Sequence, residues 1–151
     1  MTLVPGYPSI TIRRATAADY EPLIALWLAA GVKLQTGGRE RKSAFVQQLE
    51  QFADLYLVAV DGERVVGVVL GTHDGRKGWI SRLAVHPRYQ RCGLGAALVS
   101  ACDAAIRARG IEIVCALVET GNTASASLFE KLGFRADVPV LYYRKPSHPG
   151  A

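Results

Sequence analysis

The sequence predicts an α/β (α+β) protein: a mixed central sheet of six to seven strands flanked by about four helices. Three observations carry this expectation. Short apolar stretches that alternate or run unbroken fall at 10–14, 55–60, 64–71, 79–85, 113–118 and 138–144, which is strand patterning. Longer stretches at 16–30, 41–52, 93–108 and 123–131 place their apolar residues at helical spacing. Tight-turn signals join three consecutive strands, whereas a long helix separates the next pair. An antiparallel meander should therefore lead into a parallel strand–helix–strand unit.

Each element has its own justification. Ile10-Thr11-Ile12-Arg13-Arg14 alternates and opens the fold as a strand. Thr16 or Asp19 can cap the helix that follows, with Leu23, Ile24, Trp27 and Ala30 on one face and Gly31 at its end. In the second helix Phe45, Leu49 and Phe52 share a face. Leu55–Val60 is a strand, Asp61-Gly62 a hairpin signal, and the apolar run from Arg64 to Gly71 the returning strand, buried on both faces. A turn at 75–78 leads to the strand Trp79–Val85, which Pro87 ends. The long helix carries Leu94, Leu98, Ala101 and Ala105 on one stripe, with Arg107, Arg109 and Gly110 as a C-terminal signature. Ile113–Val118 is the next strand. Thr123–Lys131 is a short helix with Ala124, Leu128 and Leu132 on one side. Val138–Arg144 is expected to close the sheet, with a further short strand at Phe134–Asp137.

Composition narrows the class. The chain has 151 residues, half of them hydrophobic and about a fifth charged, as expected for one domain spanning 1–151 with residues 146–151 as a frayed tail. No apolar stretch suits a membrane span and the N-terminus has no signal-peptide pattern, so a cytoplasmic protein is expected. Cys92, Cys102 and Cys115 are an odd set at irregular spacing, neither a disulfide framework nor a zinc pattern, and no metal site is expected. Cys102 and Cys115 read as small buried hydrophobes. The net charge of +5 suits a polyanionic partner. Nucleic acid is not expected, because the basic residues are scattered. The small cluster Arg39, Arg41 and Lys42 reads as a solvated face.

One segment carries chemistry. The strand ending at Val85 runs through His86-Pro87-Arg88-Tyr89-Gln90-Arg91-Cys92-Gly93-Leu94-Gly95 into the long helix. The first amides of a helix lack internal acceptors, and the helix dipole adds roughly half a positive charge there. Such an end accepts anions. Gly93 and Gly95 would let oxygens approach the backbone, with Arg88 and Arg91 adding charge nearby. On these residues alone, a plain tight turn explains the glycines equally well. A dinucleotide fingerprint would need a third glycine where Leu98 stands, and no Lys-Ser/Thr pair follows to make a nucleotide-triphosphate loop.

The wider pattern is more specific. Arg82-Leu83-Ala84-Val85-His86-Pro87 followed by Gln90-x-x-Gly93-x-Gly95 resembles motif A of the GNAT acetyltransferase superfamily. Asn122 to Phe134 is similar to its motif B. The closest similarity is to small bacterial members related to ribosomal-protein N-terminal acetyltransferases. The resemblance implies an acetyl-CoA-dependent N-acetyltransferase acting on an amine by direct attack in a ternary complex. It implies that amides of Arg91, Cys92, Gly93, Leu94, Gly95 and Ala96, with Gln90 before them, hold the CoA pyrophosphate. It further implies that the main chain of Leu83, Ala84 and Val85 pairs with the pantetheine arm as an added strand, beyond a splay of the two parallel strands past Val85. Asn122 would bond the pantetheine or cap its own helix, and Phe129 would lie beside the cofactor. A homodimer through the last strands is a further implication.

The family pattern also fails at several positions. Phe129 stands where many members have a tyrosine that protonates the leaving thiolate, and Leu117 and Trp79 stand where members of two branches have a glutamate. No acid–base pair carries over. The local candidates are Glu119, His73, Asp74, Tyr142 and Tyr143, with water as an equal alternative for the base. Cys92 beside the anion loop is too far from a thioester to be a nucleophile. The same departures leave a non-catalytic acyl-CoA-binding module as the alternative reading.

Overall fold

In the computed structural model, which describes residues 2–137 and 139–151, six strands form one sheet in chain order. They are β1 (Thr2–Val4), β2 (Tyr7–Arg14), β3 (Tyr56–Asp61), β4 (Arg64–His73), β5 (Lys77–Val85) and β6 (Ile113–Ala116). The four α-helices are α1 (Tyr20–Ala29), α2 (Lys42–Gln51), α3 (Leu94–Arg107) and α4 (Thr123–Lys131). Neighbouring strands are antiparallel through β5, and β6 is parallel to β5. The expected mixed sheet and its parallel crossover are therefore present.

Local chemistry explains most boundaries. Asp19 receives both arms of the Arg13 guanidinium at 2.8 and 2.9 Å and the amide of Thr16 at 2.8 Å, which ties the end of β2 to the start of α1. Burial opposes ionisation of Asp19, but these donors outweigh it and hold its carboxyl below the ordinary value. Gly31, with φ 80, ends α1 in the left-handed conformation that glycine adopts without a Cβ penalty. Leu23, Leu26 and Trp27 of α1, and Phe45, Leu49 and Phe52 of α2 and its end, are buried against the sheet.

Helix α3 lies on the opposite face, closer than side chains would ordinarily allow. A Cβ added to Gly67 would stand 2.8 Å from Leu98 Cδ1, one added to Gly71 2.7 Å from Cys102 Sγ, and one added to Gly78 2.3 Å from Ile106 Cγ2. Three glycines of β4 and β5 thus form the seat of α3. Its fully buried residues are Leu98, Val99, Cys102 and Ile106, with Leu94 nearly so. The expected stripe through Ala101 and Ala105 is rotated: both alanines are only half-buried, because the larger Cys102 and Ile106 fill the glycine gaps. Cys102 behaves as the expected buried hydrophobe. Burial pushes its thiol up to about 12, with Asp103 adding to the shift. Cys115 is half-buried.

The two chain ends depart from expectation. The sixth strand is the N-terminal β1, which pairs with β2 and was not expected. The expected closing strand at 138–144 does not form over the described residues 139–144, nor does the short one at 134–137; Val138 lies outside the described residues. Alternation marks residues that suit a strand, but a strand also needs an edge to pair with. Val140, Leu141, Tyr142 and Tyr143 are instead 74–87% exposed. The chain then turns back, so that the carbonyl of Gly150 lies against Gly38 and Arg39 reaches the Ala151 carbonyl oxygen at 3.5 Å.

The glycine seat makes a clear prediction. Gly78→Ala should destabilise the fold by about 1–3 kcal/mol in urea unfolding, because Ile106 is fully buried and has no room to yield. Gly37→Ala, where an added Cβ meets nothing within 4 Å, should shift the midpoint little. Equal midpoints for the two variants would remove the close approach of α3 as a constraint.

Candidate functional site: an open strand edge between a helix terminus and a cavity

Strand β5 has two partners at one end and one at the other. Its pairing with β6 covers only Lys77–Ile80, opposite Ile113–Ala116. From Ser81 to Val85 no strand follows on that side among the described residues. The splay expected past Val85 thus begins five residues earlier, after Ile80. On the β4 side, Leu70 opposes Ser81 and Val68 opposes Ala84. Val69 therefore faces both Arg82 and Leu83, a β-bulge. Arg82 takes φ 54 there, a left-handed conformation unusual for a residue with a side chain. Trp27 Nε1 donates to the Arg82 carbonyl at 3.1 Å, and the Arg82 guanidinium donates to the Lys33 carbonyl at 3.3 Å. The bulge is thereby anchored to α1 and to the loop after it.

The anion-type terminus lies just past β5. Arg91 and Gly93 both have left-handed backbone, at φ 62 and 83, and Gly93 is the N-cap of α3. The first helical hydrogen bond runs from Ala97 N to the Gly93 carbonyl at 3.0 Å. The amides of Leu94, Gly95 and Ala96 therefore have no acceptor within the helix. Arg91 and Gly93 are exposed, Cys92, Gly95 and Ala96 are half-buried, and Leu94 puts its side chain into the core. Gln90 Nε2 donates to the Val85 carbonyl at 3.0 Å, closing the loop onto the strand and occupying that oxygen. The Cys92 thiol donates to the Tyr89 carbonyl. Helix α4 flanks the same terminus, since a Cβ on Gly95 would come within 3.6 Å of Leu128 Cδ2. Asn122 Oδ1 accepts from Ser125 N at 3.2 Å, so the capping role is realised and the amide nitrogen is left for other partners. Phe129 is buried and packs edge-on against Phe134, with centroids 5.1 Å apart.

Across the sheet from α3 lies a cavity of about 230 Å³. Its walls include Tyr20 and Trp27 of α1, Phe45 and Gln48 of α2, Tyr56 at the start of β3, and Ser81 and Arg82 at the bulge. Glu40, in the α1–α2 loop, is its acid, with a side chain 9% exposed. Both Arg82 and Arg39 converge on Glu40 Oε1, and Gln35 N donates to Oε2 at 2.7 Å. Tyr56 donates to Gln48 Oε1 at 2.6 Å, and burial pushes its phenol up to about 12. Tyr56 thus keeps its proton at neutral pH.

None of the five acid–base candidates lines this cavity. His73 and Asp74 form the β4–β5 turn at the far end of the sheet. There, His73 Nδ1 accepts from Gly75 N at 3.1 Å, and Phe52 lies edge-on to the ring. The amides of Lys77 and Arg76 hold the Asp74 carboxyl below the usual range, as a turn cap would. Glu119 is exposed in the loop before α4, and Tyr142 and Tyr143 lie exposed outside any strand. Glu40, Tyr56 and Gln48 belong to no motif, and Arg82 opens the motif-A stretch without a side-chain role implied there. Arg39 is exposed, as a solvated face requires, and also borders the cavity.

Residues 20–134 match the model of the Acetyltransferase (GNAT) family, and the chain belongs to that family. An acetyltransferase of Sodalis glossinidius, SG1711, is 32% identical over 127 residues, covering 84% of this chain and 88% of the relative. The structure of yncA, a putative acetyltransferase from Salmonella typhimurium solved with its cofactor acetyl-CoA, superposes with a TM-score of 0.69 at 26% identity. It covers 86% of this chain and 82% of that one. The ribosomal-protein-S18-alanine N-acetyltransferase of Escherichia coli shares the fold at 21% identity, with a TM-score of 0.70 over 85% of this chain and 79% of its own. The protein is an acetyltransferase, and acetyl-CoA is its co-substrate. No helix among the described residues is long and apolar enough to cross a membrane.

Arg82 and Glu40 should be energetically coupled. Arg82→Ala leaves a mostly buried carboxylate with one guanidinium and one amide, and should cost roughly 1–3 kcal/mol in urea unfolding. In a double-mutant cycle with Glu40→Gln the losses should be non-additive by about 1 kcal/mol or more. Strict additivity would mean that the pair does not hold the bulge in place.

Proposed function

We propose that this acetyltransferase moves the acetyl group onto a primary amine by direct attack in a ternary complex. The observation that carries this reading is the open edge of β5. At its end lie the free amides of α3; beside it, through the bulge, lies the cavity. A donor extended along that edge and an acceptor held in the cavity would meet near Arg82–Leu83.

The residues fit the donor. The free amides at the start of α3, with Arg91, Cys92 and Gly93 before them, would hold the pyrophosphate, because aligned amides and the helix dipole favour negative charge. Leu83 and Ala84 would offer main-chain groups to the pantetheine arm, while Gln90 already covers the Val85 carbonyl. Asn122 would contribute its amide nitrogen and Phe129 the packing that holds α4 beside the site. When bound, acetyl-CoA supplies a thioester carbon open to nucleophiles. Glu40 is already engaged by two guanidiniums and Tyr56 keeps its proton, so water accepts the ammonium proton in this reading.

Incubation with acetyl-CoA and a panel of amines should release thiol only when an acceptor is present. Gly95→Asp should weaken acetyl-CoA binding at least roughly tenfold by setting a carboxylate among the phosphate-binding amides. The fold has room for a Cβ there, in ordinary contact with Leu128 and Val85. Unchanged affinity in the folded variant, or no thiol release with any amine, would refute the reading.

A homodimer belongs to the same proposal. Ile113, Leu117 and Val140–Tyr143 expose large apolar side chains, and a second copy would cover them. Sedimentation velocity should show a dimer at micromolar concentration that Leu141→Glu dissociates; a monomer throughout would exclude it.

A further inference from the structure

We propose that the acceptor is a small zwitterion, an amine that also carries a carboxylate and has an apolar or aromatic side arm. This inference rests on the proposed amine acetylation and names its substrate class.

Charge is the first argument. The lining contains two guanidiniums, Arg39 and Arg82, against the single carboxylate of Glu40. Both oxygens of that carboxylate are engaged, Oε1 by the guanidiniums and Oε2 by the Gln35 amide. Among the lining side chains one positive charge is in excess, and at the mouth only the Ala151 carboxyl oxygen, 3.5 Å from Arg39, approaches it. A polycationic acceptor would meet net repulsion there, whereas an acceptor with its own anionic group would complete the balance.

Arg39 is the residue with donors to spare. Arg82 is held by Glu40 and the Lys33 carbonyl, with its side chain 25% exposed. Arg39 gives its Nε to Glu40 at 3.2 Å and is 53% exposed. One terminal nitrogen reaches only a carboxyl oxygen of Ala151, at the long distance of 3.5 Å, which leaves it available to another oxygen acceptor. A guanidinium presents five N–H donors in a planar fork, which matches a carboxylate.

The walls set the side arm. Trp27, Phe45, Tyr56 and Leu70 are all at least nine-tenths buried and face the cavity. Tyr20, Phe45 and Tyr56 form a continuous aromatic wall, with centroids 5.6 and 6.0 Å apart. At about 230 Å³ the space suits a single small molecule rather than a folded or branched one. With the carboxylate at Arg39 and the side arm on the aromatic wall, the amine is left facing Ser81 and the open edge of β5. There the ammonium gives a proton to water, and the nitrogen lone pair forms the C–N bond to the acetyl carbon. The C–S bond breaks with its electron pair on sulfur. The second nitrogen proton then passes to the thiolate, so one proton in all is released to solvent.

The test uses the full chain with acetyl-CoA, following thiol release with phenylalanine, leucine, phenylalaninamide, phenethylamine and spermidine. Phenylalanine or leucine should exceed phenethylamine in kcat/KM at least roughly tenfold, the scale of a charge-assisted hydrogen-bond pair. Arg39→Gln should bring that ratio towards one by raising KM for the amino acid, and Arg39→Lys should restore part of it. Phenethylamine, the amide or spermidine matching the amino acids would overturn the proposal, as would a ratio unchanged by Arg39→Gln. Calorimetry with CoA-saturated protein separates the two levels. Amino-acid binding without thiol release would sink the proposed activity and keep the cavity assignment. Absence of phenylalanine and leucine binding would overturn the assignment itself.

Discussion

The close seating of helix α3 on the sheet is the contact on which the rest of the site depends. Gly67, Gly71 and Gly78 remove the side chains that would hold the helix away, and Leu98, Cys102 and Ile106 drop into the space. Tertiary packing of this kind, rather than helix propensity, provides most of a helix's stability in a protein. It also fixes where the helix begins. With α3 held at that height, its N-terminal amides come to the end of β5, and the loop 86–93 has only to turn the chain. Gln90 completes the turn by bonding back to Val85.

The bulge at Arg82–Leu83 carries the other half of the arrangement. Pairing with β6 stops at Ile80 while pairing with β4 continues past the bulge. One edge of the strand is thus kept in the sheet and the other left open. A left-handed arginine would be costly without support. Here its carbonyl is held by Trp27 and its guanidinium by Glu40 and Lys33. The same guanidinium lines the cavity, so the group that supports the backbone also sets the charge of the space where an acceptor would sit.

Motif residues were readable because each has a local reason to be where it is. Gly93 is needed for a left-handed cap, and Asn122 for a cap that it does make. The cavity residues have no such local reason. Glu40 stands between two cations in a loop, Tyr56 begins a strand, and Gln48 lies on a helix. Only the packing of α1 and α2 over β3–β5 brings them together. The five acid–base candidates shared the opposite fault: each has suitable chemistry, but position in the sheet or exposure keeps it out of the cavity. His73 and Asp74 show this most directly, since a strand end can face either end of the sheet and theirs is the end away from α3's first turn.

The sequence alone determined the order of helices and strands from 7 to 131, the family, and the loop that opens α3, since periodicity, capping and turn chemistry act over a few residues. The tertiary structure decided the strand count at the two ends, where β1 joins the sheet and residues 139–144 do not. It also decided where β5 and β6 part, and which side chains share the cavity. Those features depend on edge pairing and on contacts between residues as far apart as Glu40 and Arg82, and no local pattern encodes which distant partner a residue will meet.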